Sequence, residues 1–185
     1  GHGFDAGEVF ICAGVESMTR VPIMGYNPMP HPGLYERYPE AYIAMGETAE
    51  NVATKYQTTR EAQEAFAVES QRRAAAAQAA GKLDDEIVAI ASDDGTVDKD
   101  GCIRPESTAQ ALAELKPTFD ESGTVTAGTA SPLTDGVAFV LVCSEEFAEA
   151  NNLTPLARIR SIAVSGCDPD VMGIGPVEAS RKAPW

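Results

Sequence analysis

A run of small and hydroxyl-bearing residues, 124–132 (TVTAGTASP), is the segment of this sequence best suited to hold a ligand. It has too little apolar bulk for the interior of a core strand, and its small side chains would let an extended ligand lie against the backbone. The same residues also suit a plain turn, because location in a loop is only a modest sign of function. Both interpretations stay open on these residues alone.

Two further features suit an anionic group. Residues 172–176 (MGIGP) place two glycines before a predicted helix, whose first amides can receive an anion. The G-x-G-x-x-G pattern of dinucleotide sites is absent, so this signal is weak. Arg104 can pair with a phosphate, although pairing with one of the many nearby carboxylates is the commoner case.

The cysteines and histidines give no independent sign of catalysis. The four cysteines, at positions 12, 102, 143 and 167, form no C-x-x-C pair and suit neither a zinc site nor a disulfide scaffold. We therefore predict reduced thiols, a cytoplasmic protein and no resident metal or permanently bound cofactor. His31 lies in a proline-rich stretch and is predicted to be a surface loop residue. Ser/His/Asp sets, H-E-x-x-H and Walker sequences are missing.

The composition excludes several classes of partner. A hydrophobic content of 44% and a charged content of 23% are typical of a soluble globular protein. The formal charge of −14 argues against a nucleic-acid partner, because phosphate backbones require clusters of Lys and Arg. The apolar runs are all far shorter than the roughly 18–20 residues that a membrane span needs.

The elements that must position these residues are α/β at both ends of the chain and helical in the middle. Strands are predicted at 8–13, 86–91, 137–142 and 156–163, and the continuous apolar run at 137–142 predicts a strand covered on both faces. Helices are predicted at 45–56, 59–80, 108–115, 145–151 and 176–183. A capping box of Thr58 with Glu61 would start the second helix, and Gly81 would end it. Residues 21–39 and 92–107 are predicted loops.

Four motifs, in order across nearly the whole chain, resemble the thiolase family. They are residues 13–19 (AGVESMT), 45–53 (MGETAENVA), 119–136 (with GTVTAGTAS, then TDG) and 168–176 (DP, then VMGIGP). Each motif is weak by itself, whereas four in register are specific. The resemblance implies an internal segment of a coenzyme A-dependent acyltransferase.

The fold implied by this resemblance is a partial thiolase fold of the α/β class, layered αβαβα, with a mostly helical inserted loop domain. Residues 1–20 and 133–153 would belong to the N-terminal thiolase half. Residues 21–132 would form the coenzyme A-binding loop domain, and residues 154–185 would begin the C-terminal half. The resemblance also implies a homodimer or homotetramer.

The resemblance implies coenzyme A or acyl-CoA as the substrate and assigns roles to seven residues. Ser131 would hydrogen-bond the pantetheine arm, and Ala127 and Ala130 would give it room. Phe119, Met45 and Met172 would pack along the ligand, and Arg104 would lie near the adenine-phosphate end.

Three positions depart from patterns common in the family. Ala44 stands where some members carry a histidine, which affects contacts at that end of the ligand. Thr129 replaces a common asparagine and Pro132 a common glycine, as in the fatty-acid-oxidation branches.

The family's reaction requires a cysteine thiolate that takes the acyl group, a histidine that activates it and a second cysteine for proton transfer. The resemblance places all three outside this sequence. We therefore expect the parent enzyme to cleave 3-ketoacyl-CoA with coenzyme A, or to condense two acyl-CoAs, and this chain alone to be inactive. Two alternatives stay open: a catalytically inactive coenzyme A-binding or assembly module, and a non-thiolytic thiolase-like protein.

Overall fold

The computed structural model describes residues 7–183, which form two compact units. The sheet unit contains residues 7–30, 133–165 and 176–183 of the described chain, and the helical unit contains residues 31–132 and 166–175. The strands are β1 (Val9–Ser17), β2 (Ile90–Ser92), β3 (Gly95–Val97) and β4 (Asp135–Cys143). The helices are α1 (Pro32–Arg37), α2 (Met45–Tyr56), α3 (Arg60–Ala79), α4 (Ala109–Ala113), α5 (Glu145–Ala150) and α6 (Gly175–Lys182).

The sheet unit is built on one antiparallel pair of nine-residue strands. β1 and β4 pair from Val9 with Cys143 to Ser17 with Asp135, so both predicted strands are confirmed and are longer than predicted. The prediction that β4 is covered on both faces is wrong for this chain. The side chains of Val137 and Phe139 are 48% and 71% exposed, because a two-stranded sheet buries little apolar surface without a further layer.

The predicted strand at 156–163 does not form. These residues have no regular secondary structure, and Leu156 is fully exposed. A strand needs a neighbour to satisfy its backbone groups, and a favourable sequence cannot supply one. The predicted helices on either side are confirmed as α5 and α6. Helix α5 begins where the hydroxyl of Ser144 accepts a hydrogen bond from the amide of Phe147.

The helical unit is organised around α2 and α3. Helix α2 has the predicted bounds, begins where Glu47 accepts a hydrogen bond from the amide of Ala44, and ends at Gln57 in a left-handed conformation. Its buried residues are Thr48 and Ala53. Asn51 on the same helix donates to the carbonyl of Asp170 in the 3-10 segment Pro169–Ile174.

The start of α3 differs from the prediction by one residue. Thr59, rather than Thr58, caps the helix by accepting a hydrogen bond from the amide of Ala62 at 3.3 Å. The predicted pairing of Thr58 with Glu61 is therefore wrong, because the neighbouring threonine offers the same cap chemistry one position later. The predicted end is confirmed, since Gly81 adopts a φ of +68° just after the helix.

Two segments predicted as loops contain short regular elements. Residues 92–107 include β3, which pairs with β2 as a small hairpin, whereas residues 86–89 are not a strand. Residues 21–39 include α1, whose first turn is capped by His31 Nδ1, which accepts from the amide of Leu34 at 3.2 Å. His31 is exposed as predicted, but it caps a helix and does not lie in a simple loop.

The thiolase domain boundaries implied by the resemblance stay a prediction, because the two units describe the packing of this chain alone. Within residues 7–183, no helix is both long enough and apolar enough to cross a bilayer.

Candidate functional site

One wide groove in the helical unit contains the small-residue segment that the sequence singled out. We call it the α3 groove, and its volume is about 640 Å³. One wall is a face of α3, and the other is formed by residues 128–132. The groove is lined by Thr58, Ala62, Gln63, Phe66, Ala67, Ser70, Gln71, Cys102, Gly128, Thr129, Ala130, Ser131 and Pro132.

A tight hydrogen-bonded turn holds the small-residue wall. Thr126 is completely buried, and its carbonyl accepts hydrogen bonds from the amides of Thr129 and Ala130. The Thr126 amide in turn donates to the hydroxyl of Thr129 at 3.0 Å. Gly128 lies so close to Leu112 that an added Cβ would meet its side chain at 2.3 Å. The wall is therefore packed against α4 at Gly128.

An ion pair at the start of α3 contacts the end of α4, the helix against which this wall packs. Arg60 Nε lies 2.6 Å from Glu64 Oε1, and Glu64 is 5% exposed. The Arg60 guanidinium also donates from Nη2 to three carbonyls at the end of α4, those of Leu112, Ala113 and Leu115. The last carbonyls of a helix lack donors from a following turn, so the arginine satisfies the helix end and joins α4 to α3.

Ser131 and Ala130, two of the residues predicted to contact the ligand, line the α3 groove. Ala127 belongs to the same turn and is exposed, but it does not line the groove. Arg104 is exposed, and its backbone amide donates to Oε1 of Gln71, a groove residue, at 2.7 Å. Arg104 is thus held next to the groove and does not line it.

The other three predicted residues lie outside the groove. The ring of Phe119 covers Gly46, since a Cβ added there would meet the ring at 2.2 Å, and Met45 is the adjacent residue of α2. Phe119 is 43% exposed, Met45 is 72% exposed and Met172 is 48% exposed. Phe119 therefore lies against the first turn of α2, whereas Met172 lies in the 3-10 segment that packs against that helix.

Sequence reasoning missed the α3 wall. Gln63, Phe66, Ala67, Ser70 and Gln71 recur three or four residues apart and so share one helix face. They mix Ala, Gln and Ser with one aromatic residue, so no apolar stripe distinguished them. The available signal was Phe66, the one aromatic side chain of α3, which is 78% exposed.

Two carboxylates outside the groove are held by hydrogen bonds that lower their pKa values. Hydrogen bonds from Thr19 lower the pKa of Asp135 at the start of β4. Hydrogen bonds from Arg72 and Arg73 lower the pKa of Glu69 on α3 to about 2. Across residues 7–183, no group of three or more His, Cys, Asp or Glu side chains is placed to share a metal ion.

The family model for the N-terminal domain of thiolases matches residues 4–146. The chain belongs to the thiolase family. It is 47% identical to a 3-ketoacyl-CoA thiolase of Bacillus subtilis, with 94% of this chain and 48% of the relative covered. It is 46% identical to a 3-ketoacyl-CoA thiolase of Marinobacter nauticus, with 96% of this chain and 46% of the relative covered.

Solved thiolase structures have the same fold. The dimeric peroxisomal thiolase of Saccharomyces cerevisiae superposes with a TM-score of 0.86 at 36% identity, over 95% of this chain and 46% of that one. Human mitochondrial 3-ketoacyl-CoA thiolase in complex with CoA gives a TM-score of 0.79 at 39% identity, over 95% of this chain and 48% of that one. The partial thiolase fold is thereby confirmed, and the chain spans about half the length of the curated relatives it matches.

Proposed function

We propose that this thiolase-family chain binds the pantetheine arm of coenzyme A or an acyl-CoA in the α3 groove. The observation that carries the proposal is the groove wall at residues 128–132, where small residues line the groove across from α3. A pantetheine arm is long, narrow and rich in amides, so it requires room along a backbone more than large complementary side chains. The names of the bacterial relatives, 3-ketoacyl-CoA thiolase, point to the same ligand class.

Within this proposal the hydroxyl of Ser131 is the polar contact to the arm, and Ala127 and Ala130 keep the approach open. Arg104, held beside the groove through Gln71, would face the adenine-phosphate end, where its guanidinium offsets the unfavourable net charge of the chain. Phe119, Met45 and Met172 would supply apolar contacts along the rest of the ligand.

The reaction proposed for the whole enzyme is that of an acetyl-CoA acyltransferase. A cysteine thiolate attacks the 3-keto carbon of 3-ketoacyl-CoA, the bond between C2 and C3 breaks, and acetyl-CoA leaves after its C2 carbon takes up a proton. The thiol of coenzyme A, as it loses its proton, then takes the acyl group from the cysteine and releases the cysteine thiolate. The reverse direction condenses two acyl-CoAs. The enzyme would work as a homodimer or homotetramer. The peroxisomal relative from yeast is a dimer, which supports the smaller of these two assemblies.

Two cysteines and the described histidine have structural positions. Cys12 and Cys143 lie on the paired strands β1 and β4, opposite Val140 and Val9. The Nδ1 atom of His31 is engaged in capping α1. These placements support the proposal that the 185-residue chain alone does not cleave 3-ketoacyl-CoA, and they equally suit an inactive coenzyme A-binding or assembly module.

Ligand binding is tested by titrating coenzyme A into the chain by calorimetry. Ala62→Leu replaces a methyl with an isobutyl side chain inside the α3 groove, whereas Ala65→Leu makes the same change on the same helix outside it. We expect the first variant to bind coenzyme A at least about tenfold more weakly and the second to match the unmodified chain. Equal affinity in both variants, or no binding by the unmodified chain, would refute the proposed site.

Activity is tested by following 3-ketoacyl-CoA cleavage with purified material. We expect no cleavage above the rate of a buffer control. Protein-dependent cleavage that scales with chain concentration would contradict the proposal that this chain alone is inactive.

A further inference from the structure

A carboxylate on α2 is bound to the backbone that leads into the small-residue wall. Glu50 Oε1 lies 2.9 Å from the amide nitrogen of Thr124 and 2.7 Å from that of Val125. Glu50 Oε2 lies 2.9 Å from the same Thr124 amide and 3.0 Å from the Thr124 hydroxyl. One side chain therefore satisfies three donors of a segment that lies 74 residues further along the chain.

This contact requires a glycine. A Cβ added to Gly123 would lie 2.3 Å from Glu50 Oε1 and 3.0 Å from the carbonyl of Asp120. The absence of a side chain thus lets the carboxylate reach the backbone. Helix α2 does not need Glu50 for its own cap, because Glu47 performs that role at the N-terminus.

The carboxylate is also connected to the opposite wall of the groove. The Thr124 hydroxyl donates to Glu50 Oε2 and accepts from Nε2 of Gln63, a groove residue of α3, at 2.9 Å. Because this hydroxyl has one proton, its donation to Glu50 fixes the direction of the bond from Gln63. Glu50, Thr124 and Gln63 thus form one ordered chain of hydrogen bonds from α2 to the α3 groove.

Downstream of Thr124 the backbone has little freedom. Val125 and Thr126 are buried, and the Thr126 carbonyl binds the amides of Thr129 and Ala130. Ser131 follows directly on this turn. A displacement at Thr124 and Val125 is therefore passed to Ser131, because close-packed interiors transmit strain.

We propose that Glu50 is a positioning residue for the α3 groove: its carboxylate fixes Thr124 and Val125, and through the Thr126 turn it orients Ser131 toward the ligand. The inference rests on the proposed binding of coenzyme A in this groove. The charge of Glu50 matters, because both oxygens of a carboxylate can accept the hydrogen bonds from the Thr124 amide, the Thr124 hydroxyl and the Val125 amide. A glutamine side chain has one acceptor oxygen, and its NH2 group would face groups that donate to Glu50.

The test measures coenzyme A affinity by calorimetry together with hydrogen exchange at the amides of Thr124 and Val125. Glu50→Ala is expected to weaken binding about tenfold, and Glu50→Gln to fall between that variant and the unmodified chain. Gly123→Ala disturbs the same contact without touching the carboxylate chemistry, and it should weaken binding and speed the same two amides. Glu121→Gln, the same change at a nearby exposed position, should alter neither.

A double-mutant cycle separates positioning from a general loss of stability. In a Ser131→Ala background, Glu50→Gln should weaken binding by less than about twofold, because its effect is exerted through Ser131. An undiminished effect in that background would overturn the inference, as would unchanged affinity in Glu50→Gln and Gly123→Ala while Ala62→Leu still blocks the groove. Failure of the unmodified chain to bind coenzyme A would instead overturn the proposed function, and this inference with it.

Discussion

Arg60→Ala tests how much the buried ion pair of α3 stabilises the helical unit. The pair joins Arg60 Nε to Glu64 Oε1 at 2.6 Å, with side-chain exposures of 24% and 6%. The same helix supplies a matched comparison in Arg73 and Glu69, also four residues apart and 2.6 Å apart, with exposures of 75% and 41%. The two pairs differ in burial and in their other partners, because Arg60 also donates to three carbonyls at the end of α4, and Glu69 keeps Arg72 as a partner when Arg73 is removed.

The expected magnitude follows from the charge that is left behind. Removing one partner of a buried pair costs about 3–5 kcal/mol, because the other charge stays buried without compensation. Arg60 lies in the first turn of α3, where the helix dipole opposes a cation, so its loss returns about 0.5 kcal/mol. We therefore expect Arg60→Ala to lower the free energy of unfolding by about 3 kcal/mol, against about 0–0.5 kcal/mol for Arg73→Ala.

Urea unfolding followed by far-ultraviolet circular dichroism measures the difference. With a slope of about 2 kcal/mol per molar urea, Arg60→Ala should lower the midpoint by about 1.5 M. Replacing Glu64 by Gln in the Arg60→Ala variant should recover part of the loss, since it removes the unpaired charge. Midpoints that agree for Arg60→Ala and Arg73→Ala, or no recovery in the double variant, would refute the reasoning.

Three further results are expected. The pKa of Glu69 is lowered from 4.5 to about 2. Its contribution to stability is therefore complete above pH 4.5 and is lost as the pH falls through 2. Glu69→Gln should flatten the pH dependence of the unfolding midpoint between these two pH values. Gly128→Ala should destabilise the helical unit by about 1–3 kcal/mol in urea unfolding, because the new methyl group overlaps the buried Leu112; a stability equal to that of the unmodified chain would contradict the packing described. Thr19→Val should raise the pKa of Asp135 toward its ordinary value in a carboxyl NMR titration, since it removes the hydroxyl that contributes most to the lowered value, and an unchanged titration midpoint would exclude that hydrogen bond.

Local patterns predicted the elements that depend mainly on their own residues. Helix α2 has the bounds predicted from its sequence, and β4 was predicted from a continuous apolar run. The strand predicted at 156–163 (LARIRSIA) contains two arginines and a serine, and it lacks a paired neighbour in the described chain. Strand formation depends on a partner that can be far away in sequence, and this information is absent from any short window.

The candidate site was predictable on one wall only. Ser131 and Ala130 were found because their segment matches a family motif, and both line the groove. The opposing wall, with Phe66 and Gln63, could not be read from periodicity because its residues are neither uniformly apolar nor charged. Glu50 could not be recognised either, since its partners lie 74 and 75 residues away and one of its requirements is the missing side chain of Gly123.

The pairing of β1 with β4 carries a kinetic consequence. Ser17 and Asp135 are paired although they are 118 positions apart in the sequence. The two strands are not joined by a hairpin turn, so their pairing cannot begin at one. Compared with a tight turn, closing so long a loop in a flexible chain costs about 3 kcal/mol more in entropy. Compaction of residues 31–132 shortens the effective distance between the strands. Substitutions inside that segment should therefore slow the appearance of the sheet, even though they touch neither strand.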